Sequence, residues 1–300
     1  MGVPVITADM VEDRLSWEAM ARAIAEGHRR APADLGDVFN RRGGDTLLTR
    51  SAWVDGLGMA VKSMSVFPQN VEHPTIDGAM ILFEDVTGQV LAVIDGVLLT
   101  KWKTAADSVL GARYLARKDA RRVLIVGAGT VARSLIEAYG AIFPGIDISI
   151  WNRTRARAEA LGVAVADDLQ EAMATADIIS SATMVSDPII KGDWLRPGQH
   201  LDLIGAFRAD MREADDRALK RGRIFVDSRA TTLDHIGELK IPLAEGVIRR
   251  DDILGDLHDL EAGRAGRETD SDITIFKNGG GAHLDLMVGR AIYDIWRAGA

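Results

Sequence analysis

The stretch Arg122-Val123-Leu124-Ile125-Val126-Gly127-Ala128-Gly129-Thr130-Val131-Ala132 decides the fold. A short continuous apolar run reads as a strand buried on both faces, and it leads directly into G-x-G-x-x-A. Gly127 allows a tight turn, Gly129 lets backbone approach a pyrophosphate, and Ala132 lets the following helix pack closely on the strand. The helix that opens at Thr130 and Val131 presents free N–H groups and positive dipole to phosphates. Glycines alone fit any structural turn; the strand–turn–helix context points to a bound dinucleotide.

Downstream, strand cores at Val123–Val126, Ile148–Trp151, Ile178–Ser181, His200–Ile204 and Ile224–Val226 alternate with helical patterns. That alternation predicts a doubly wound parallel sheet of Rossmann type. The second strand ends at Trp151 and is followed by Asn152-Arg153-Thr154-Arg155. A carboxylate there would bind the ribose 2′-hydroxyl of NAD; an amide, a hydroxyl and two arginines suit a 2′-phosphate. NADPH is therefore the expected cofactor, with NADH possible, unless Arg153 and Arg155 are merely solvated charges at a helix start. Ala182 and Thr183 leave the next strand where the crevice of such a sheet lies, and suit a nicotinamide-ribose contact.

Upstream the pattern changes. Residues 17–30 have helical apolar spacing, with His28 expected to be half-exposed near the end. From 36 to 95, short strands are punctuated by Arg42-Gly43-Gly44-Asp45 and Asp85-Val86-Thr87-Gly88, as in an antiparallel block. A helix is predicted over 100–117, a surface crossing over Arg117–Arg122, and a strand at Thr274-Ile275-Phe276. Gly279-Gly280-Gly281 reads as a flexible turn before an amphipathic helix from Ala282 to Arg297. The expected organisation is a discontinuous α+β domain, 1–119 and 277–300, around a Rossmann domain, 120–276.

Composition narrows the function. The 300 residues are 47% hydrophobic and 27% charged, with net charge -8 and no cysteine. Thiolate chemistry, disulfides and Cys-based zinc sites are excluded. An acidic chain argues against nucleic acid, and no apolar run is long enough to span a bilayer. The N-terminus lacks a signal-peptide layout, so a cytoplasmic enzyme is expected. The histidines show no metal-binding spacing. Asp251, Asp252, Asp256 and Asp259 lack the glycine and glutamate of a calcium loop.

Several separated motifs, in order, resemble the ornithine cyclodeaminase / mu-crystallin family. They are Val61-Lys62 before Phe67-Pro68-Gln69-Asn70, Thr100-Lys101-Trp102-Lys103-Thr104-Ala105-Ala106, Gly127-Ala128-Gly129, Ser181-Ala182-Thr183, and Gly280-Gly281-Ala282-His283-Leu284-Asp285. The resemblance implies a homodimer, an N-terminal domain for substrate and dimerisation completed by the C-terminal helix, and a Rossmann domain for NAD(P)H. It implies that Lys62 meets the carboxylate or nitrogen of a small imino or amino acid. Lys103 stands where the family has an arginine, keeping the charge but losing the bidentate fork. Arg50 occupies a position that is usually apolar in the family, and either compensates or sits on the surface.

The family's deaminating members carry an aspartate where this chain has Phe207. A phenyl ring is no general acid or base, so the resemblance is closest to Δ1-pyrroline-2-carboxylate and related ketimine reductases. Phe207 would then pack over an apolar substrate ring, or else belong to the core. Asp210 or Asp285 would supply a proton or orient a water. The alternatives are an ornithine cyclodeaminase, an alanine dehydrogenase or acyclic imino acid reductase with Arg50 holding a second carboxylate, and a non-catalytic NADPH-dependent binder.

Overall fold

The computed structural model describes residues 2–299, which fall into two compact units. Unit 1 runs up to Lys103 and resumes at Gly281; unit 2 spans Thr104–Gly280.

Unit 1 contains β1 (Val5–Ile6), α1 (Ala8–Val11), α2 (Trp17–His28), β2 (Asp34–Arg42), β3 (Asp45–Val54), β4 (Gly58–Val66), β5 (Ile76–Phe83), β6 (Val90–Asp95) and the first turns of α3 (Gly96–Leu115). The C-terminal helix, Ala282–Ala298, belongs with them. The sheet order is β1-β6-β5-β4-β3-β2. β2 to β6 pair antiparallel, while the short β1 lies parallel to β6.

Burial along β4 alternates with the two-residue period of a strand that has one face covered: Gly58, Ala60, Lys62 and Met64 are buried. Lys62 thus holds a place on the apolar face. In α2, Ser16 caps the first turn by accepting from Ala19 N–H at 3.2 Å. At the other end Gly27 permits a close helix crossing, since a Cβ there would lie 2.3 Å from the Met287 sulfur. His28 is buried, not half-exposed. Its Nδ1 sits 2.7 Å from the Ile24 carbonyl, which takes the place of water at that atom, and its ring packs edge-on against His283 at 5.5 Å.

Unit 2 continues α3 and adds β7 (Arg122–Val126), α4 (Thr130–Ile142), β8 (Asp147–Trp151), α5 (Arg155–Glu159), β9 (Ala164–Val165), α6 (Leu169–Thr175), β10 (Ile178–Ser181), β11 (His200–Leu203), α7 (Asp216–Arg221), β12 (Arg223–Val226), α8 (Arg229–Thr232), α9 (Gly237–Ala244), β13 (Ile253–Gly255), α10 (Leu257–Glu261) and β14 (Thr274–Lys277). Every pairing in its sheet is parallel, in the order β13-β12-β14-β11-β10-β7-β8-β9. From β7 the chain winds outward first to β8 and β9, then to β10 and β11. The carboxyl end of β7 is therefore the topological switch point, where open sheets of this kind bind ligands.

The units divide earlier than the 119/120 expectation, because the second half of α3 packs on the parallel sheet. Ser108 Oγ donates to Asp202 at 3.1 Å. Gly111 makes room for Phe276, whose ring would lie 2.5 Å from an added Cβ. Asn278 Nδ2 donates to Thr104 O and Ser108 Oγ, both at 3.0 Å, which draws Asn278 to the same side. The basic stretch before β7 is held by the Asp177 carboxylate, which accepts from the N–H groups of Arg121 and Arg122.

Candidate active site

In unit 1 strand register sets out a row of charges. Asp37 on β2 is the cross-strand partner of Arg50 on β3, and Arg50 is the partner of Lys62 on β4. The row then becomes apolar with Met80 on β5. Arg50 donates to Asp37 through Nε and Nη2, at 2.8 Å for the shortest contact. Asp285, from the first turn of the C-terminal helix, accepts from Lys62 Nζ at 2.8 Å. Lys103 Nζ, from α3, lies 3.6 Å from the same oxygen. Lys62 and Lys103 are each 7% exposed and Asp285 is 1% exposed.

These charges set one another's ionisation. Burial works to raise the Asp285 carboxyl, but the Lys103 and Lys62 ammoniums outweigh it and hold it at about 2. The two ammoniums thus favour the ionised form of Asp285. Burial pulls Lys62 below the usual lysine value; Asp285 opposes this, and Lys103 and Arg50 add to it. Asp285 Oδ2 is buried and has no hydrogen-bond partner among the described residues. An orphaned buried carboxylate oxygen is costly, and this one is an acceptor held ready beside two ammoniums.

Unit 2 carries the dinucleotide loop. Gly127 has φ +109°, and a Cβ there would stand 2.7 Å from the Ala182 carbonyl, so the position requires glycine. Nothing lies within 4 Å of a Cβ built on Gly129, which leaves room for a phosphate against the backbone. Gly129 caps α4, whose first residues Thr130 and Val131 have N–H groups with no intrahelical acceptor. Ala132 is fully buried on the sheet side. After β8, Asn152 Nδ2 donates to Thr154 O at 2.8 Å and shapes the turn. Arg155 is occupied by Glu159 and Asp167, whereas Arg153 is exposed.

The loops after β10 and β11 are held by a residue that carries no motif, Glu213. Its Oε1 accepts from Ser181 Oγ (2.6 Å), Thr183 N–H (2.7 Å) and Thr183 Oγ1 (2.8 Å). Its Oε2 accepts from the N–H groups of Gly205 (2.5 Å) and Ala206 (3.3 Å). Glu238 in turn accepts from the N–H groups of Glu213 and Ala214. Burial, then the neighbouring Glu213, pushes Glu238 up to about 7. Asp227 accepts from the N–H groups of Gly279 (2.8 Å) and Gly280 (2.5 Å), so this part of the glycine run is pinned rather than flexible.

Phe207 is 57% exposed, with the Arg208 guanidinium 5.7 Å from its ring centre, and so it is no core residue. Asp210 lies on the same exposed loop and is held ionised by its ion pair with Arg208 at 2.9 Å. The structure thus unites Lys62, Lys103, Asp285 and Arg50 in unit 1. Asp210 belongs to a surface pair in unit 2. Sequence reasoning missed Asp37, Glu213, Glu238 and Asp227. The one available signal was for Asp37, which lies opposite Arg50 once the Gly43-Gly44 hairpin fixes the register.

The chain matches the ornithine cyclodeaminase/mu-crystallin family model over residues 39–300. It is 50% identical over 288 residues to a Δ1-pyrroline-2-carboxylate reductase of Paracoccus denitrificans (strain Pd 1222), covering 92% of this chain and 91% of that one. Among solved structures, Thermococcus litoralis Δ1-pyrroline-2-carboxylate reductase in complex with NADH and L-proline matches with TM-score 0.89 at 27% identity, over 99% of this chain and 98% of that one. An archaeal alanine dehydrogenase dimer with bound NAD matches with TM-score 0.92 at 27% identity, over 100% and 97% of the two chains.

Proposed function

The chain belongs to the ornithine cyclodeaminase/mu-crystallin family, and from that premise we propose that it reduces a cyclic ketimine carboxylate, Δ1-pyrroline-2-carboxylate or Δ1-piperideine-2-carboxylate, to L-proline or L-pipecolate. It is an NAD(P)H-dependent oxidoreductase acting on a C–N bond.

One observation carries this reading: two buried ammoniums share one ionised carboxylate that keeps a free oxygen. Lys62 and Lys103 exceed Asp285 by one positive charge, which suits a substrate carboxylate. Asp285 Oδ2 suits the N–H of a protonated ring imine, a charge-assisted hydrogen bond. A cyclic imino acid with a carboxylate next to a C=N–H⁺ group has both features. Asp285 favours the protonated imine and so prepares C2 for attack without a general acid at position 207. Holding both groups also orients C2, and such positioning supplies several kcal/mol of barrier reduction.

When bound, the reduced nicotinamide supplies the hydride that adds to C2, and the nitrogen retains the proton that it brought. Gly127, Gly129, Thr130, Val131 and Ala132 would hold the pyrophosphate, and Ala182 and Thr183 the nicotinamide side. NADPH is the preferred donor in this reading, with Arg153 on the 2′-phosphate beside Asn152 and Thr154; Arg155 is already paired. Phe207 takes no part in proton transfer, which disfavours loss of ammonia from ornithine. We further propose a homodimer. The alanine dehydrogenase neighbour is a dimer, and exposed Val38 and Leu47, on one face of the β2–β3 hairpin, are apolar side chains that a second copy would cover. A reaction that consumes reduced nicotinamide fits a cytoplasmic setting, where it is regenerated.

The test is product analysis with Δ1-pyrroline-2-carboxylate and either nucleotide. The expected result is L-proline in equal amount to the nucleotide oxidised, with a preference for NADPH that Arg153→Ala abolishes. Nucleotide oxidation without proline would refute the reaction, and an unchanged preference in Arg153→Ala would refute the role of Arg153.

A further inference from the structure

Arg50 and Lys62 are cross-strand partners. Like charges directly opposite each other in a sheet are destabilising, so the pair needs a reason and a remedy. The remedy is visible on both flanks: Asp37 takes the Arg50 fork and Asp285 takes the Lys62 ammonium. With Lys103 included, three cations stand beside two carboxylates.

We propose that Asp37 is a specificity-determining residue: by occupying Arg50, it restricts the unit 1 site to substrates that carry a single carboxylate. The inference rests on the imine-reductase reading and goes one step further, naming the charge class of the substrate. Arg50 feels the cluster directly, since its charge acts on both Lys62 and Asp285. Released from Asp37, its planar fork would be a ready clamp for a second carboxylate. The Arg50 and Asp37 side chains retain 16% and 32% exposure, so the pair is reachable by a substrate group and is not sealed in the core. Met80 beyond Lys62 is fully buried and offers an incoming anion nothing. Asp37 is a positioning residue in this account: it touches Arg50, and discrimination follows from where it holds that fork.

The experiment compares two inhibitors with the same ring, pyrrole-2-carboxylate and pyrrole-2,5-dicarboxylate, against the full-length enzyme with reduced nucleotide and Δ1-pyrroline-2-carboxylate. Wild type is expected to favour the monocarboxylate. Asp37→Asn is expected to move the ratio of inhibition constants toward the dicarboxylate by roughly tenfold, the scale of one added charge a few ångströms away. Asp37→Glu keeps the charge and is expected to keep the wild-type ratio, a rescue that mere support of the hairpin would not track. If Asp37→Asn fails to fold, Asp37→Ser serves instead, because it also frees the fork and is expected to move the ratio the same way; an unchanged ratio there overturns the inference equally. An unchanged ratio in active Asp37→Asn, or a dicarboxylate preference in wild type, overturns the inference and leaves the imine-reductase reading standing. Wild type that reduces no cyclic imine overturns that reading instead.

Discussion

Lys62 is a lysine on the apolar face of a strand, and that position explains its chemistry. The two-residue alternation of β4 turns it inward with Ala60 and Met64, where an unpaired ammonium could not stay charged. Asp285 keeps it charged, and Lys103 on the same carboxylate leaves charge to spare. Burial nevertheless holds Lys62 below the usual lysine value of 10.5. In the proposed reading, protonated Lys62 is the form that would bind the carboxylate, and that form is lost as pH rises through this lowered value. The alkaline limb of kcat/KM is therefore expected to fall below pH 10.5, and in Lys62→Arg to move to higher pH, since a guanidinium does not deprotonate there. A limb that stays in place would remove Lys62 from the binding step. Asp285→Asn is the harsher change. It leaves two buried ammoniums without a counter-ion, at a cost of about 3–5 kcal/mol, so a lower melting temperature should accompany its lost activity. Lys62 was legible as a residue before a recognisable turn. The partner that makes it work, 223 positions away, was named only as one of two candidate acids, because sequence pattern does not show which strand face a distant helix covers.

At the scale of elements, the β7–α4 turn was legible because its chemistry is local. Positive φ at Gly127 and the Ala182 carbonyl beside it leave no room for a side chain. Gly127→Ala is expected to weaken nucleotide binding at least about tenfold, with local strain of about 1–3 kcal/mol; nucleotide titration by fluorescence measures it. The brace under the neighbouring loops was not legible. Glu213 joins the ends of β10 and β11 through five donors, yet nothing marks it among the 44 acidic residues. Glu213→Gln turns an amide N–H₂ toward groups that are themselves donors. It is expected to raise the nucleotide KM more than the imine KM; equal effects would make Glu213 a purely structural residue. Helix α3 shows the same limit. Its apolar periodicity predicted a helix, but not that Ser108 and Gly111 would tie its second half to the parallel sheet.

For the whole molecule, the alternation of strands and helices from β7 onward and the hairpin punctuation before it were enough to read two architectures. Local period and turn chemistry encode both. The boundary between the units was less legible, because it depends on long-range contacts of Asn278 and Phe276 with α3. The proposal gives each unit its own part: the Lys62, Lys103 and Asp285 cluster of unit 1 would take one carboxylate and one N–H, and the Gly127–Gly129 turn of unit 2 would take the dinucleotide. Together these needs describe reduction of a cyclic imino acid, and they leave deamination without an acid at Phe207. The direct test is a side-by-side assay of the purified enzyme, following nucleotide oxidation with Δ1-pyrroline-2-carboxylate and ammonia release with L-ornithine. The account predicts rapid oxidation with the imine and no ammonia above background from ornithine; ammonia release at a rate matching imine reduction would contradict it.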